Sequence, residues 1–571
     1  MKQNKNGSVM TYFKDLFWYT PHKEYSFTIP EANNNENATY TENNNNYESP
    51  KNIFPKIGTN LETITTLYNA MINSDIIIRE FSLIAKNKEY KAFILYIDGM
   101  VDTKIVNNFV LDPLMLRNQA NTYTNPEADV SKEVVTNHIT VRKVKKFDLA
   151  SYILNHLIPQ NSVKQVATFD DVASSVNSGN CLLFVDTLNI AFDIDAKGFK
   201  QRSVGKPENE IVIRGSQEGF TENIRTNTSL LRRFCNNEKL IIENLEVGNL
   251  TKTKCAICYM KNVANNDLIA EVKYRINNVS VDSIISSGQL EQLISDNGKF
   301  SVPQMISTER PDNATNFLLS GRVVILVNGS PYALIAPGTF IDFISSPEDL
   351  NLKYKFSNLL KLVRIFAIIL TLLLPGFYVA ITNFHQELLP TELLFAIVAS
   401  RENIPLPIIF EILVMEFSFE LIREAGIRVP SPLGPTIGIV GALILGQAAV
   451  DANIVSPILI IVVAITAIAS FAIPDYSFSF HFRLARFIYI IFGYLLGFLG
   501  IATCLFFHLL LLASLNSFGY PYLQPYVPVT KDYNGLLLSP AWKREHRADF
   551  LNTKRPKKQP DISMKWKFPN K

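Results

Sequence analysis

The 571-residue sequence is poor in cysteine. Its five cysteines, Cys181, Cys235, Cys255, Cys258 and Cys504, are odd in number and irregularly spaced, which does not fit a disulfide framework. Cys255 and Cys258 form one CxxC pair, with no second pair and no histidine nearby. Two reduced thiols explain this pair better than a metal or redox site does. We therefore expect neither a disulfide scaffold nor a metal or other cofactor.

The sequence also lacks the short motifs of several functional classes. It contains no His-Glu-x-x-His, P-loop, GxSxG or dinucleotide-binding motif. The net charge of +3 is small, and no RNP, zinc-finger or helix-turn-helix signature is present. We therefore expect neither an enzyme nor a nucleic-acid-binding protein.

A secretion signal is a further absence. The first 20 residues contain no apolar core of signal-peptide length and no small-residue cleavage site. Residues 1–55 carry asparagine runs at 33–35 and 43–46, and such a composition cannot bury enough apolar area to fold. The sequence predicts a disordered asparagine-rich arm, followed by a soluble half that stays in the cytoplasm.

Residues 56–358 contain only short apolar runs, mixed with helical patterns. This mixture predicts an α+β cytoplasmic N-terminal domain with two subdomains, 56–160 and 161–358. In the first subdomain we expect a helix over 61–73, a hairpin of the runs 76–84 and 91–98, and a helix over 101–110.

The second subdomain is expected to begin with two strands in 180–195. A third strand with a long lead is expected in 245–261, and a helix in the second half of 279–296. The stretch 321–337 predicts a hairpin around Asn328-Gly329, a dipeptide that fits a type I′ turn.

Long apolar runs are confined to residues 362–515. About 20 apolar residues cross a bilayer as a helix, and the 41-residue stretch 433–473 carries one charged residue, Asp451. A buried helical hairpin in a globular core is the alternative for that stretch. We predict an α-helical transmembrane domain over 359–516, with four spans: 362–384, 433–450, 454–473 and 487–515.

Charges at the ends of the spans bear on orientation. Lys361 and Arg364 precede the first span, and the tail 517–571 is basic, so both termini are predicted to be cytoplasmic and the tail to lie on anionic lipid. Arg483 and Arg486 would then fall outside, against the positive-inside tendency.

An acidic, amphipathic helix is predicted near 405–424. Glu416, Glu420 and Glu424 recur at i, i+4 and i+8, which places three carboxylates in one stripe. The stripe is either the wet face of an interfacial helix or the wall of a cation-attracting vestibule. Gln447 and Asp451, near membrane depth, are further candidates for an ion pathway, although Asp451 could instead cap the turn.

Two further features of this half concern packing. Gly438, Ala442 and Gly446 form a small-residue stripe that allows close helix approach in lipid. His508, inside the last predicted span, is expected to hydrogen-bond to the backbone rather than to act as a ligand.

A dense cluster of charges lies between the strands of the soluble half, in residues 213–234. It is either a loop and helix start that bind a partner chain or an anion, or a solvated, salt-bridged helix face. The motif at 309–312 has the same ambiguity. The candidate partner-binding residues are Arg214, Gln217, Glu218, Glu222, Arg225 and Arg310.

Several motifs in this chain, taken together, resemble the A subunits of spore germinant receptors, the GerA family. They are the stretches IRGSQEGF (213–220), ERPD (309–312), GSPYAL (329–334), ELIREAG (420–426), VPSPLGPT (429–436) and GQAAV (446–450). The family usually has proline where this chain has Ser216, which implies a less rigid loop.

The resemblance implies a spore inner-membrane protein that works with a B subunit, which is amino-acid-transporter-like, and a C subunit, which is a lipoprotein. It also implies nutrient sensing that leads to cation release, with the A subunit as an oligomeric, ion-conducting part. A non-conducting scaffold that docks the other subunits is the alternative. A secondary transporter is less consistent with four spans and no two related halves.

Overall fold

The structure is a computed structural model that describes residues 50–85, 88–117, 148–198, 207, 209–428, 446–530 and 535–558. Within these ranges the chain forms two sheet-containing units, then a group of long helices, and finally a segment that returns to the second unit. The predicted α+β character of the N-terminal half is confirmed by these elements.

The first unit contains one five-stranded antiparallel sheet in the order β1-β2-β4-β5-β3. Its elements are α1 (Ile57–Tyr68), β1 (Ile76–Ala85), β2 (Lys88–Ile97), α2 (Thr103–Ile105, continued by the wider turns Val106–Leu111 and Pro113–Arg117), α3 (Leu149–Tyr152, continued by Ile153–Leu157), β3 (Val163–Val166), α4 (Phe169–Asn177), β4 (Cys181–Val185) and β5 (Ala191–Ile194).

The second unit contains another five-stranded antiparallel sheet, in the order β6-β7-β9-β10-β8. Its elements are α5 (Ile224–Phe234), β6 (Leu240–Val247), β7 (Thr253–Met260), α6 (Asn266–Asn277), α7 (Ser287–Ile294), β8 (Ile306–Thr308), α8 (Pro311–Ser320), β9 (Val323–Val327), β10 (Ala333–Ala336) and α9 (Phe340–Ile344).

Both faces of each sheet are buried. Successive side chains of a strand point to opposite faces, and each face carries its own core cluster. In β9, Val324 and Leu326 face one core cluster while Ile325 and Val327 face another. This explains why the central strands are continuous apolar runs rather than alternating ones.

The predicted hairpin of β1 and β2, the helix near 101–110, the strands in 180–195 and the helix in 279–296 are confirmed. The strand expected in 245–261 is confirmed as β7, but the first three residues of its expected lead, 245–247, are the end of strand β6. The hairpin expected in 321–337 is confirmed as β9 and β10, but five residues, Asn328 to Tyr332, connect the two strands, so the expected type I′ turn is wrong.

The predicted boundary between the subdomains at residues 160 and 161 needs correction. Strands β3, β4 and β5 fall within the predicted second subdomain, but they belong to the first sheet, in which β4 pairs with β2, β5 with β4 and β3 with β5. The first unit therefore continues to about residue 198. It also begins before residue 56, because Ile53 is buried in its core and Asn52 forms a bridge with Thr168.

The described residues of the C-terminal half include five further α-helices. They are α10 (Tyr354–Phe384), α11 (Thr391–Arg401), α12 (Ile408–Arg428), α13 (Pro457–Phe471) and α14 (Tyr476–Ser514), with a short helical stretch at 446–451 before α13. By length and composition, α10 and α14 are long and apolar enough to cross a membrane.

The helix α14 reverses direction at Gly497. Its φ of 61° and ψ of −140° are not helical, and only glycine adopts such a conformation readily. His481 and His508 would lie about 40 Å apart along a continuous helix, yet their Nε2 atoms are 3.0 Å apart. The predicted single span 487–515 is therefore wrong, and residues 476–514 form a helical hairpin.

The turn of this hairpin is held by the end of α10. The backbone N–H of Phe498 donates to His385 Nε2 at 3.4 Å, and the two rings stack with centroids 4.5 Å apart. A Cβ on Gly497 would lie 2.9 Å from the same nitrogen. The imidazole thus satisfies a backbone donor at the start of the returning arm.

The helices α10 and the first arm of α14 both start at the second unit and run away from it side by side. Phe478 packs on Phe343 of α9 at one end. Further along, a Cβ atom placed on Gly376 would lie 3.0 Å from Tyr489 O, and one placed on Gly493 would lie 2.8 Å from Gly376 O. These two glycines let the helices approach closely.

The described parts of the tail, 516–530 and 535–558, return to the second unit, and contact of the basic tail with lipid stays a prediction. Tyr522, Phe550 and Leu551 are buried in the second unit's cores. The hydroxyl of Ser517 donates to Gln304 O at 2.6 Å. Apolar residues spaced among the basic ones provide the driving force for this docking.

Candidate functional site

A cluster of ion pairs joins α12 to the first arm of α14. Glu416 Oε2 lies 2.8 Å from Arg486 Nη2. Glu420 contacts Arg486 Nη2 at 2.7 Å and accepts from Arg483 Nε at 3.1 Å. Two carboxylates of one helix are thus neutralised by two guanidinium groups of another.

The Glu416–Arg486 pair is fully enclosed, because each of the two side chains is 1% exposed. Within the described part of the chain, Glu416 Oε1 and two of the Arg486 nitrogens have no hydrogen-bond partner. Burying an ion pair gains little net stability, but removing one partner leaves an uncompensated charge and is strongly destabilising. The pair therefore fixes how α12 and α14 are aligned.

A second buried carboxylate holds the other end of α12. Glu411, with a side chain that is not exposed, lies 3.1 Å from Arg401 Nη2 of α11. It also accepts from the backbone N–H of Ser456 at 3.3 Å. The sequence reasoning did not single out Glu411 or Arg401, because their i to i+10 spacing spans two helices.

The start of α12 contacts the start of α13, and the end of α12 contacts the end of α13. Glu411 reaches Ser456 at the start of α13, and Arg423 donates to Ser470 Oγ at 2.5 Å near its end. The two helices therefore run parallel. The acidic helix α12 contacts α10, α13 and α14. It is therefore packed within the helical bundle and is not a separate helix surrounded by water.

The three predicted carboxylates of the stripe have different environments. Glu416 and Glu420 are paired inside the chain, whereas Glu424 is exposed. Arg483 and Arg486 lie in the part of α14 nearest the second unit, at the same end of the bundle as Lys361 and Arg364. The expectation that these two arginines fall on the opposite side is wrong.

The remaining predicted pathway residues lie before α13. Gln447 and Asp451 are both exposed, and Gln447 Nε2 donates to Asp451 Oδ1 at 3.0 Å. The helix α13 is capped by Ser456, whose Oγ accepts from the Leu459 N–H at 3.3 Å. The alternative in which Asp451 caps this turn is therefore wrong.

Of the predicted small-residue stripe, only Gly446 lies within the described residues. It is buried, and a Cβ at this position would meet Ile460 of α13 at 3.6 Å. Gly438 and Ala442 lie outside the described residues. Close approach of α10 and α14 occurs instead at Gly376 and Gly493, which sequence reasoning did not identify as packing residues.

His508 belongs to a chain of hydrogen bonds, so the expectation of a backbone partner is wrong. Ser301 Oγ lies 2.7 Å from His481 Nδ1, His481 Nε2 lies 3.0 Å from His508 Nε2, and His508 Nδ1 lies 3.1 Å from Tyr489 Oη. This chain links Ser301 of the second unit, which is exposed, to buried side chains on both arms of the hairpin.

The predicted partner-binding loop is anchored by Arg310, which is 0% exposed. Arg310 donates to Glu210 O at 3.2 Å and to Ser216 O at 2.7 Å, and it pairs with Asp312 at 2.7 Å. It therefore acts inside the fold and does not lie on a free surface.

The other predicted loop residues divide into exposed and paired ones. Arg214, Gln217 and Glu222 are exposed. Glu218 pairs with Arg233 of α5, and Arg225 pairs with Asp98 of the first unit. Part of this cluster is thus the salt-bridged face that the sequence left open as an alternative.

Glu210, next to this loop, accepts from Thr308 Oγ1 at 2.6 Å. Burial raises the pKa of Glu210 to about 7, against the opposing effect of its hydrogen bonds to Thr308 and Glu309. Its oxygen also accepts from the Glu309 N–H at 3.2 Å, so the protonation of Glu210 is coupled to the position of the loop.

Cys255 and Cys258 lie on opposite faces of β7, in separate core clusters. Burial raises the pKa of Cys255 to about 12 and also raises the pKa of Cys258. Two thiols on opposite faces cannot share one ion. Among the described residues, no group of three or more histidine, cysteine or acidic side chains is placed to hold a metal.

A cavity of about 1260 Å³ lies where the second unit meets the bundle. Its walls include Glu291 of α7, Lys361 of α10, Arg423 of α12 and Asp475 before α14. Burial, with a contribution from Asp475, raises the pKa of Glu291 to about 7. Since both signs of charge line the cavity, it is not a site for one sign of ion alone.

Residues 62–550 match the family described as Bacillus/Clostridium GerA spore germination protein. The chain is 36% identical over 507 residues to spore germination protein KA of Bacillus subtilis (strain 168), with 88% of each chain covered. It is 38% identical over 435 residues to spore germination protein B1 of the same organism, covering 76% of this chain and 85% of that one.

The chain is also similar to a solved structure, the crystal structure of the N-terminal domain of the A subunit of the Bacillus megaterium spore germinant receptor GerK3, at 30% identity. The match covers 51% of this chain and 97% of that one, with a TM-score of 0.37. The family match over most of the chain, together with relatives above 35% identity, shows that the chain belongs to the GerA family of spore germination proteins.

Proposed function

We propose that this chain is the A subunit of a nutrient germinant receptor in the spore inner membrane. In this role it couples nutrient sensing to the release of monovalent cations and so to germination. Its partners would be the amino-acid-transporter-like B subunit, the lipoprotein C subunit, membrane lipid and further copies of itself. Family membership and relatives named as spore germination proteins support the process.

One observation carries the coupling role. A single core cluster extends from the second sheet into the bundle, and it includes Leu326 of β9, Phe343 of α9, Phe478 of α14 and Ala380 of α10. Close-packed interiors transmit displacement rather than absorb it. A shift of the second unit on binding a partner would therefore move α10 and α14 with it.

The lengths of the helices support a place in the bilayer. From Arg364, which pairs with Asp349, to His385 at the hairpin turn, α10 rises about 30 Å, the thickness of a hydrocarbon core. The arms of the α14 hairpin run beside it. In this arrangement both termini and the two sheet units lie on the cytoplasmic side.

Conduction would use the exposed polar groups rather than the buried pairs. Glu424 lies at the end of the α12–α13 pair that faces the second unit, while Gln447 and Asp451 lie at the opposite end. In a ring of copies, such groups would concentrate cations at the two mouths of a passage. Glu416 and Glu420 would hold α12 in place, and Gly438, Ala442 and Gly446 would form helix contacts.

A non-conducting scaffold is the second candidate, and one observation favours it. Glu416 and Glu420 are neutralised by Arg483 and Arg486 of the same chain. These two carboxylates of the acidic stripe therefore contribute no uncompensated negative charge. In a scaffold, the helical bundle would serve only to anchor the other subunits.

Potassium flux separates the two functions. The double variant Glu424→Gln with Asp451→Asn should slow nutrient-triggered potassium release from spores at matched protein level, and should slow potassium flux through liposomes containing the purified chain. The matched control is Glu392→Gln, an exposed carboxylate on α11. Unchanged release from the double variant, with no flux through the purified wild-type chain, would support the scaffold.

The exposed part of the charged loop is proposed to dock a protein partner. Gln217 and Glu222 are exposed, and Glu218 holds its position through Arg233. Glu222→Lys should weaken co-purification of the B and C subunits without lowering the unfolding temperature of the isolated chain. Equal recovery of both subunits with this variant would remove the loop from the partner interface.

A further inference from the structure

The segment that leads into the charged loop, Glu210 to Ser216, exposes two isoleucines. Ile211 is 79% and Ile213 is 91% exposed, while Val212 between them is 5% exposed. The alternation shows an extended segment with Val212 inserted in the fold. Single exposed apolar residues are ordinary, but two on one short segment present a continuous apolar edge.

The segment cannot simply fold these side chains inward. Buried Arg310 donates to the carbonyls of Glu210 and Ser216, one at each end. Asn351 Nδ2 donates to Arg214 O at 3.0 Å between them. A backbone fixed at three points loses little conformational entropy on binding, so the exposed edge is organised in advance for contact.

The same contact places the segment beside the start of α10, because Asn351 lies three residues before that helix. The first turns of α10 expose Phe356, Leu359, Leu360 and Val363, which are spaced i, i+3, i+4 and i+7 and so form one apolar stripe. The opposite side of these turns is packed, since Ser357 and Lys361 are buried.

Exposed apolar residues continue along α10 into the part of the helix that we place in the bilayer. Phe366 and Ile369 are among them. Ile211 also lines the cavity shared with Phe471 and Tyr476 at the end of the bundle. The two isoleucines therefore lie at the level where the second unit ends and the helices begin.

Basic and aromatic residues surround this edge. Arg214, Lys353 and Lys355 are exposed, and Tyr354 packs edge-on against exposed Trp542 with ring centroids 6.2 Å apart. Among the nearby acids, Glu210 and Glu348 are half-buried and Asp349 is buried. Tyrosine and tryptophan together with lysine and arginine are the residues that favour the interface of an anionic bilayer.

We propose that residues 210–216 and the first turns of α10 rest in the headgroup layer of an anionic bilayer, with Ile211 and Ile213 reaching the acyl boundary. The inference rests on the proposed membrane placement of α10. It gives the soluble half a second attachment to the membrane, beside the helix itself. Insertion of two isoleucines, assisted by three cationic side chains, provides the free energy for that attachment.

The test uses the full-length chain with Cys504→Ser as background, in nanodiscs that contain anionic lipid. An environment-sensitive NBD fluorophore is attached at Ile213→Cys. The matched control is Met71→Cys in the first unit, where the native residue is also 91% exposed. The Ile213 probe should shift to the blue and lose most of its emission when lipids carry doxyl spin labels, whereas the Met71 probe should change little.

A third probe, at Ile369→Cys in α10, separates this proposal from the membrane placement itself. Quenching at Ile369 without quenching at Ile213 overturns the contact of the loop and leaves the membrane placement standing. No quenching at Ile369 overturns the membrane placement. A blue shift at Ile213 without doxyl quenching means that another protein surface covers the loop, which also overturns the lipid contact.

The lipid composition tests the charge part of the proposal. Replacing the anionic lipid with phosphatidylcholine should reduce quenching at Ile213 but leave quenching at Ile369 unchanged, because Arg214, Lys353 and Lys355 then lose their counterions. Equal quenching at Ile213 in both lipids overturns the requirement for anionic lipid.

Discussion

The two sheet units have the same order of elements and very different surroundings. Among the described residues, each unit consists of a helix, a hairpin, two helices, an edge strand, a helix and a second hairpin. In each sheet the third strand along the chain lies at the edge, beside the fifth strand. In the first unit both faces are covered by the unit's own helices. In the second unit, one face shares its core with the helices of the bundle.

This difference shows that one topology can serve two mechanical roles. The second unit is joined to the bundle through buried aromatic packing, which is short-ranged and rigid. The first unit meets the second through polar contacts such as Arg232–Asp75, Arg232–Asn73 and Arg225–Asp98. We therefore expect the second unit to move with the bundle and the first unit to move relative to both.

The largest expected effect comes from breaking the junction between the second unit and the bundle. Phe478 is not exposed, stacks on Phe343 at 5.4 Å and meets Phe340 edge-on at 5.3 Å. Phe478→Ala should cost about 3–5 kcal/mol, because it leaves a cavity in a close-packed site. Thermal unfolding in detergent should then show the second unit and the bundle separating into two transitions.

The matched control lies in the first unit. Phe93 is equally buried and stacks on Phe184 at 4.7 Å, so Phe93→Ala removes the same side chain from a core that the bundle does not share. It should lower only the transition of the first unit. If Phe93→Ala also separated the bundle from the second unit, the two units would not differ as proposed.

The second effect concerns the buried bridge between the units. Asp75 accepts from Arg232 Nε at 2.8 Å and Nη2 at 2.9 Å, and both residues are buried. Asp75→Asn should weaken the contact between the units by about 3 kcal/mol, because it leaves the guanidinium group without its counterion. Urea unfolding should then resolve the first unit as a separate, earlier transition.

A double variant tests the physical reason for that result. Asp75→Leu combined with Arg232→Met removes both charges and should restore much of the loss, since apolar replacements of a buried pair are often neutral. If the double variant is as unstable as Asp75→Asn, the shape of the bridge rather than its charge holds the units together.

The sequence allowed some of this arrangement to be predicted and concealed the rest. The hairpin of β1 and β2 has strong local signals, with β-rich runs on either side of a polar turn. No local signal shows that β4 belongs to the first sheet, because its pairing of Leu182 with Leu95 joins residues far apart in sequence. Local patterns identify strands, but partners are selected by the packing of whole layers.

The same limit applies to the candidate site. The spacing of Glu416 and Glu420 correctly placed both carboxylates on one helix. Their partners, Arg483 and Arg486, lie more than 60 residues later, and the reversal at Gly497 depends on one glycine inside a continuous helical pattern. Charge repulsion within the stripe suggested water or cations as partners, whereas a neighbouring helix supplies them.

The third effect is a pH dependence at the segment that joins the two units. The pKa of Glu210 is raised from its ordinary value of 4.5 to about 7 by burial. The folded state therefore binds this proton more tightly than the unfolded state, so the stability it contributes is full below about pH 4.5 and is lost as the pH rises through about 7. Residues 209–216 should exchange amide hydrogens faster above that pH.

Hydrogen exchange, corrected for its intrinsic pH dependence, measures this effect directly. Glu210→Gln keeps a hydrogen-bonding side chain without a titrating group, so the loop in this variant should show the same protection on both sides of neutral pH. A pH dependence that survives in Glu210→Gln would assign the effect to another group, such as Glu309.

The smallest effect is expected from the exposed bridge between the units. Arg225 pairs with Asp98 across the same boundary as Arg232 pairs with Asp75, but the Arg225 side chain is 52% exposed and that of Arg232 only 2%. Water already solvates an exposed pair, so its loss costs about 0–1 kcal/mol. Arg225→Ala should therefore leave the urea transition of the first unit almost where it is in the wild type, and the small remaining effect should disappear at high salt.

Arg225 also lies against Gly99, where a Cβ would approach its side chain at 3.3 Å. A loss as large as that of Asp75→Asn would mean that packing at Gly99, rather than charge, joins the units at this point, and the boundary between them would then be stiffer than the comparison of the two units implies.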